Sequence, residues 1–389
     1  MRLVDFLPTI LALVFVSGCS QTTPRSPDPD ADLDPVQRIG KAAFFDTALS
    51  EPPGTSCASC HDPARAFSGN HGSTTGVPLG SDGTTLGLRN TPSAMYAMFS
   101  PPFAIVDSDD GPTPTGGQFL DGRVDTLEEQ ARLPLLSASE MANPSEAHLA
   151  AKVMNAAYAG DMLAQFGPEV FATPQKAIDA LTAAIGAFER SARFAPFSSK
   201  YDRYVQGRET LTAQESRGLA LFMDAQKGNC AACHAADPNS KVPRDSLFTD
   251  FTYDNLGVPR NRAIPANADP SFFDLGLCGP KRAPVADTGA CGAFKVPTLR
   301  NATRKAAFMH NGYFTRLRDV VAFYVTRDTS PERWYAGGVK FDDLPEGYRA
   351  NVNVSEVPYD RKPGEAPRLT EAEIDDLVAF LGTLEDAQP

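Results

Sequence analysis

Apolar residues recur at helical spacing in several stretches of the chain. Val36, Ile39, Ala43 and Phe44 fall on one face, behind Asp34 as a cap and Pro35 at the first helical position. A second helix opens at Thr212 with Glu215 three residues on, a capping-box spacing, and carries Gly218, Leu221 and Phe222. Thr173-Pro174 opens a third, with Ile178, Leu181, Ile185 and Phe188 on a single stripe, and Thr370 with Glu373 opens a fourth that buries Ile374, Leu377, Val378 and Leu381. Leu317, Val320, Val321 and Tyr324 share a further helical face. Gly40-Lys-Ala-Ala-Phe44 matches Gly218-Leu-Ala-Leu-Phe222, an internal repeat, so each half begins with one copy and closes with one of the long helices. The pattern predicts a mainly α, loop-rich chain with minor strand content and a boundary near Gly207. Pro101-Pro102 and the stretch from Asp109 to Gly117 read as surface loops.

Composition refines this outline. The chain has 389 residues, 42% of them hydrophobic, enough for more than one core. Its formal net charge of -12 excludes nucleic acid as a partner, since phosphate binding needs clustered Lys and Arg. Leu7 to Val16 is an almost unbroken apolar run ending in Val16-Ser17-Gly18-Cys19, too short for a spanning helix and suited to an export signal. Residues 1–19 are therefore predicted to be a lipoprotein-type signal peptide. Cys19 then becomes the lipid anchor of a periplasmic protein, the alternative being an ordinary cleaved signal. Residues 20–34, rich in Pro, Asp, Ser and Thr, form the tether.

The chemistry begins at Cys57-Ala58-Ser59-Cys60-His61, which recurs as Cys230-Ala231-Ala232-Cys233-His234. Two thiols with two residues between them and a histidine directly after suit covalent attachment of a c-type haem: the thiols become thioethers and the imidazole reaches the iron. A redox dithiol or a zinc half-site also uses Cys-x-x-Cys, but zinc ligands spread over a longer loop. Cys57, Cys60, His61, Cys230, Cys233 and His234 are thus the expected holders of two haem c groups, with His61 and His234 on the irons. The chain divides into two tandem cytochrome c-like domains, 35–206 and 207–389. Of seven cysteines, four go to haem and Cys19 to lipid; Cys278 and Cys291 remain, in a compartment where disulfides persist, and are predicted to be bridged.

Further segments fall in a recognisable order: Gly40-Lys41-Ala42-Ala43-Phe44-Phe45, the first haem motif with Asp62-Pro63, Arg89-Asn90-Thr91-Pro92-Ser93, Asp121-Gly122-Arg123, Leu127-Glu128-Glu129-Gln130-Ala131, Glu140-Met141, and Phe294-Lys295-Val296-Pro297-Thr298-Leu299-Arg300-Asn301. From about residue 35 to the C-terminus this order resembles the bacterial dihaem cytochrome c peroxidase and MauG family. The resemblance implies an oxidoreductase that reduces hydrogen peroxide at the N-terminal haem. Gln130, Pro134 and Glu140 fall on its distal-pocket positions, Glu140 moving protons. The C-terminal haem passes or stores oxidising equivalents, its distal ligand falling fourteen residues after His310, at Tyr324, where peroxidases have methionine and MauG has tyrosine. Asn90 matches the side-chain ligand of a calcium ion between the haems. Partners implied are peroxide and a small c-type cytochrome or other redox protein, as donor or as oxidised substrate. A non-catalytic, membrane-tethered dihaem electron carrier or haem sensor is the competing class. Two departures stand out. Phe119-Leu120 replaces the usual tryptophan before Asp-Gly-Arg, Trp334 being the chain's only one, and His71 in the glycine-rich loop Ser68 to Gly80 reads as a surface loop histidine, the blocking loop histidine of classical members being the alternative although its spacing from Arg89-Asn90 does not match theirs. His148 reads as an exposed helix residue.

Overall fold

Asp34 caps the first helix, α1 (Pro35–Phe44), its carboxylate accepting from the Gln37 amide while the Gln37 side chain returns the bond. The computed structural model describes residues 28–108, 111–279 and 288–387. The signal segment 1–19 with Cys19, and the tether through residue 27, lie outside the described residues. Nine further helices follow among those described: α2 (Cys57–Cys60), α3 (Leu127–Leu136), α4 (Glu146–Met154), α5 (Ala159–Phe166), α6 (Pro174–Glu189), α7 (Lys200–Val205), α8 (Ala213–Met223), α9 (Leu317–Thr326) and α10 (Glu371–Gly382). The expected caps are in place at Thr173, Thr212 and Thr370. No described helix is long and apolar enough to cross a membrane.

The internal repeat has a packing cause. Helix α1 lies on α6 and α8 lies on α10, and at each crossing the repeated glycine sits directly on a backbone carbonyl, Gly40 on Ala184 and Gly218 on Asp376. A Cβ at either position would overlap that carbonyl and crowd the Cβ of Phe188 or Phe380. Phe44 and Phe222 then seal the two crossings, each 1% exposed. On α10 this notch admits Phe380, which is fully buried, whereas Val378 of the expected stripe is only half-buried.

Two apolar cores result. The first runs from Leu33 to Phe194 around α1, α4 and α6; the second, from Tyr201 to Leu384, centres on α8, α9 and α10. Tyr201 and Val205 of α7 already belong to the second. Strand is minor. β1 (Ala104–Ser108) pairs antiparallel with β2 (Gly111–Thr115), and β3 (Tyr253–Asp254) with β4 (Phe294–Lys295). The expectation of plain loop from Asp109 onward is corrected here: 111–115 form one arm of a two-stranded ribbon. Pro112 and Pro114 hold extended φ and, lacking an N–H, suit an edge. Cys278 and Cys291 form the expected disulfide.

Candidate active site

Each cysteine motif folds as one tight turn that presents its histidine inward. Ser56 caps α2, and the His61 amide closes the turn on the Cys57 carbonyl at 2.8 Å; the His234 amide does the same to Cys230 at 2.8 Å. His61 Nδ1 faces the Phe67 carbonyl at 3.0 Å, and His234 Nδ1 faces the carbonyls of Phe248 and Pro297, both at 3.1 Å. A carbonyl can only accept, so Nδ1 donates in both rings and Nε2 keeps its lone pair for a metal. Burial holds both imidazoles below their ordinary pKa, which keeps that lone pair available. The four motif thiols are unbridged, and burial pushes each up to about 12.

One cavity of about 330 Å³ is lined by both histidines together with Cys230 and Cys233. Its walls are mostly apolar: Met95, Leu127, Val258, Phe308, Leu317 and Val321 among them. At the second motif the paired thiols and the imidazole open on this apolar space together, and at the first His61 does, an arrangement that fits covalently bound porphyrins.

The remaining expected residues separate into two groups around these motifs. Helix α3 carries Gln130, half-buried and in the cavity wall, and Pro134 in its last turn. The Pro134 carbonyl accepts from the Met141 amide at 3.1 Å, which folds the following turn back along the helix. Glu140 lies on that turn, outside the cavity wall, its amide on Ser137 and its carbonyl accepting from the Ser81 amide. After burial, Glu140 is the largest influence raising the Cys60 thiol, so its carboxylate stands near the first motif. At the second motif, Tyr324 of α9 lines the same cavity as His234, together with Leu317, Val320 and Val321. Burial first, then Asp254, pushes the Tyr324 phenol well above its ordinary range.

Asn90 is tied to the segment 307–310: its side-chain amide donates to Ala307 O at 2.8 Å and Met309 O at 3.3 Å, and its backbone N–H to His310 O at 2.8 Å. His310 stacks on Phe294 and bonds Asp343. Phe119 and Leu120 are both in the cavity wall, where a tryptophan was missing from the motif. Trp334 packs in the second core, its indole N–H on Thr326. His71 is not in the wall; its Nδ1 bonds the Leu79 carbonyl in the loop. His148 is exposed on α4 against Glu51, as its position implied.

Sequence reasoning missed four titratable groups in the same wall. Glu189 closes α6 with an orphaned Oε2, and burial raises its pKa to about 8. The signal was available, since residue 189 follows Ile185 by one turn on the buried stripe. Lys295 and Lys305 are pulled down by burial to about 7 and about 8. Tyr359 lies 5.8 Å from Tyr324, ring to ring, with the Arg327 guanidinium 4.4 Å over it. No periodicity marks these last three.

A protein named methylamine utilization protein MauG, from Paracoccus denitrificans strain Pd 1222, is 35% identical to this chain, aligned over 99% of this chain and 96% of its own. The chain belongs to the di-haem cytochrome c peroxidase family. The family's sequence profile, described as Di-haem cytochrome c peroxidase, matches residues 35–210. The cytochrome c551 peroxidase of Pseudomonas aeruginosa is 27% identical over 74% of this chain and 70% of its own. Among solved structures, the diheme peroxidase BthA from Burkholderia thailandensis E264 superposes with a TM-score of 0.87 at 48% identity, covering 93% of this chain and 87% of that one. As a member of this family the chain is a dihaem oxidoreductase of the peroxidase superfamily, with two c-type haems and a mainly helical, cytochrome c-like fold.

Proposed function

We propose that this chain is an exported, lipid-anchored periplasmic peroxidase that reduces hydrogen peroxide beside His61 and holds or passes the oxidising equivalents beside Tyr324. Cys57 and Cys60 fix one haem c in the domain 35–206, and Cys230 and Cys233 the other in the domain 207–389, with α7 lending Tyr201 to the second core. Each haem, when bound, supplies an iron that changes oxidation state. The polypeptide supplies orientation, proton movement and a dry wall. The Phe67 and Phe248 carbonyls fix the tautomers of His61 and His234. With a haem held by Cys57, Cys60 and His61, Glu140 would accept a proton from peroxide and return it to the departing oxygen. With two electrons and two further protons, one peroxide leaves as two waters. Gln130 offers an amide to the cavity, and Pro134 shapes the turn that carries Glu140.

Burial raises the Tyr324 phenol pKa, so to hold a haem iron Tyr324 would first have to lose its proton. As an anion, its oxygen would offset positive charge on that iron and favour oxidised states. The observation that carries this reading is the shared wall of His234, Cys230, Cys233 and Tyr324. Such a centre suits storage of oxidising equivalents for a protein substrate better than uptake of electrons from a small cytochrome. Leu120 cannot relay charge, so exchange between the haems is expected to be slow.

The test is turnover of holoprotein with peroxide. Glu140→Gln is expected to slow the peroxide reaction by about 10²–10⁴-fold, the usual worth of a positioned acid–base group. An unchanged rate would remove Glu140 from the reaction. Steady-state activity with reduced cytochrome c is expected to be near zero, and rapid turnover would instead establish peroxide scavenging.

A further inference from the structure

The resemblance puts a calcium ion beside Asn90, yet the oxygens such an ion would gather are engaged by N–H donors. Calcium takes six to eight oxygen ligands at about 2.3–2.6 Å. Here the carbonyls of Ala307 and Met309 accept from the Asn90 side chain, that of His310 from the Asn90 backbone, and that of Thr91 from Lys305 Nζ at 2.9 Å. Asn90 therefore presents its amide nitrogen, not its oxygen, to this segment: two backbone carbonyls leave no other assignment without a bridging cation. The carboxylates beside the neighbouring Arg89 are spent too. Asp274 and Asp121 both pair with Arg89, at 2.6 and 2.7 Å, and Asp121 also with Arg123 at 3.0 Å. Among the described residues the acidic group with metal-like spacing lies at the other motif, at Cys233, Asp254 and Glu356.

A cation is nonetheless present. Lys305 shares the cavity wall with Asn90 and His61, two residues before Ala307 in the segment that Asn90 clamps. We propose that the Lys305 ammonium takes the place of the calcium ion between the haems, so that this chain carries its own fixed cation there and binds no calcium. The Thr91 carbonyl holds the Lys305 ammonium, and Lys305 lines the same cavity as Asn90 and His61. A divalent ion beside Asn90 would meet both an opposing charge and a shortage of available oxygens.

The inference rests on haem attachment at the His61 motif and not on which substrate is oxidised, so its test uses no turnover. Holoprotein with both haems verified by their absorption is dialysed against a calcium chelator or against calcium chloride. Metal content, the ferric paramagnetic-resonance spectrum and the midpoint potentials of both haems are then measured. We expect calcium well below one per chain after exchange into buffer, with spectra and potentials identical in the two samples. One retained calcium per chain, or a spectrum that changes on chelation, would overturn the proposal. Lys305→Met should lower the midpoint potential of the first haem, because a positive charge that favours reduced iron is gone, while Lys305→Arg should leave it near the wild-type value. A Lys305→Met potential equal to wild type would also overturn it, and the calcium measurement on the unaltered protein stands even if the variant does not fold.

Discussion

Glu189 sits where α6 ends, on the stripe that buries Ile178, Leu181 and Ile185, and a carboxyl there must be neutral to be tolerated. Burial raises its pKa to about 8, with Arg190 opposing and Glu128 adding to the rise. The folded protein therefore keeps this proton through neutral pH, while the unfolded chain releases it near the ordinary value of 4.5. Stability falls as pH rises from the ordinary value toward the folded one. Glu189→Gln keeps the shape and removes this cost, so it should raise stability at pH 8 by a few kcal/mol, on the order expected from linkage, and by almost nothing at pH 4. Urea midpoints at the two pH values decide it; a gain of equal size at both would contradict the assignment. Residues such as Cys57, Cys60 and His61 were legible because covalent attachment imposes a local spacing. Glu140 and Tyr324 were legible only through resemblance, since distal groups come from distant segments. Lys305 left no trace in the sequence, because its role depends on a cavity that no periodicity encodes.

At the scale of elements, the repeat of Gly40 and Gly218 poses two opposed effects. Alanine is a better helix former than glycine by about 1 kcal/mol, but a methyl at Gly218 would collide with the Asp376 carbonyl and the Phe380 Cβ. Backbone cannot give way as a side chain can, so the collision should win: Gly218→Ala is expected to destabilise by about 1–3 kcal/mol in chemical denaturation. A stabilised variant would mean that the α8–α10 crossing opens freely. The helices, their caps and the repeat itself were readable in the sequence, whereas the reason for the repeat was not. The same close approach explains why Phe380 displaced Val378 from the core. The ribbon 104–108 with 111–115 escaped notice because its first arm is exposed and its second arm holds two prolines, which read as loop.

Across the whole molecule, the segments that carried the resemblance turn out to hold the halves together. Arg300, with no exposed surface, pairs with Asp202 at 2.8 and 3.0 Å, bonds the Ser246 and Pro243 carbonyls, and stacks near Tyr96 of the first core and Phe248 of the second. Asn301 and Tyr96 meet on Asp386. Asp202→Asn would leave the Arg300 charge buried without its partner and should cost about 3–5 kcal/mol of unfolding free energy, where an exposed pair would cost under about 1 kcal/mol. A loss in that smaller range would show that the seam does not depend on this pair. What this seam frames is a pair of unlike metal centres, one beside Glu140 and one beside Tyr324. The paramagnetic-resonance spectrum of the ferric holoprotein, with and without peroxide and with Tyr324→Phe alongside, tests that claim most directly. The account predicts a high-spin signal that vanishes when peroxide is added and a separate low-spin signal that changes in the variant. Two low-spin signals, untouched by peroxide and indifferent to the substitution, would contradict it.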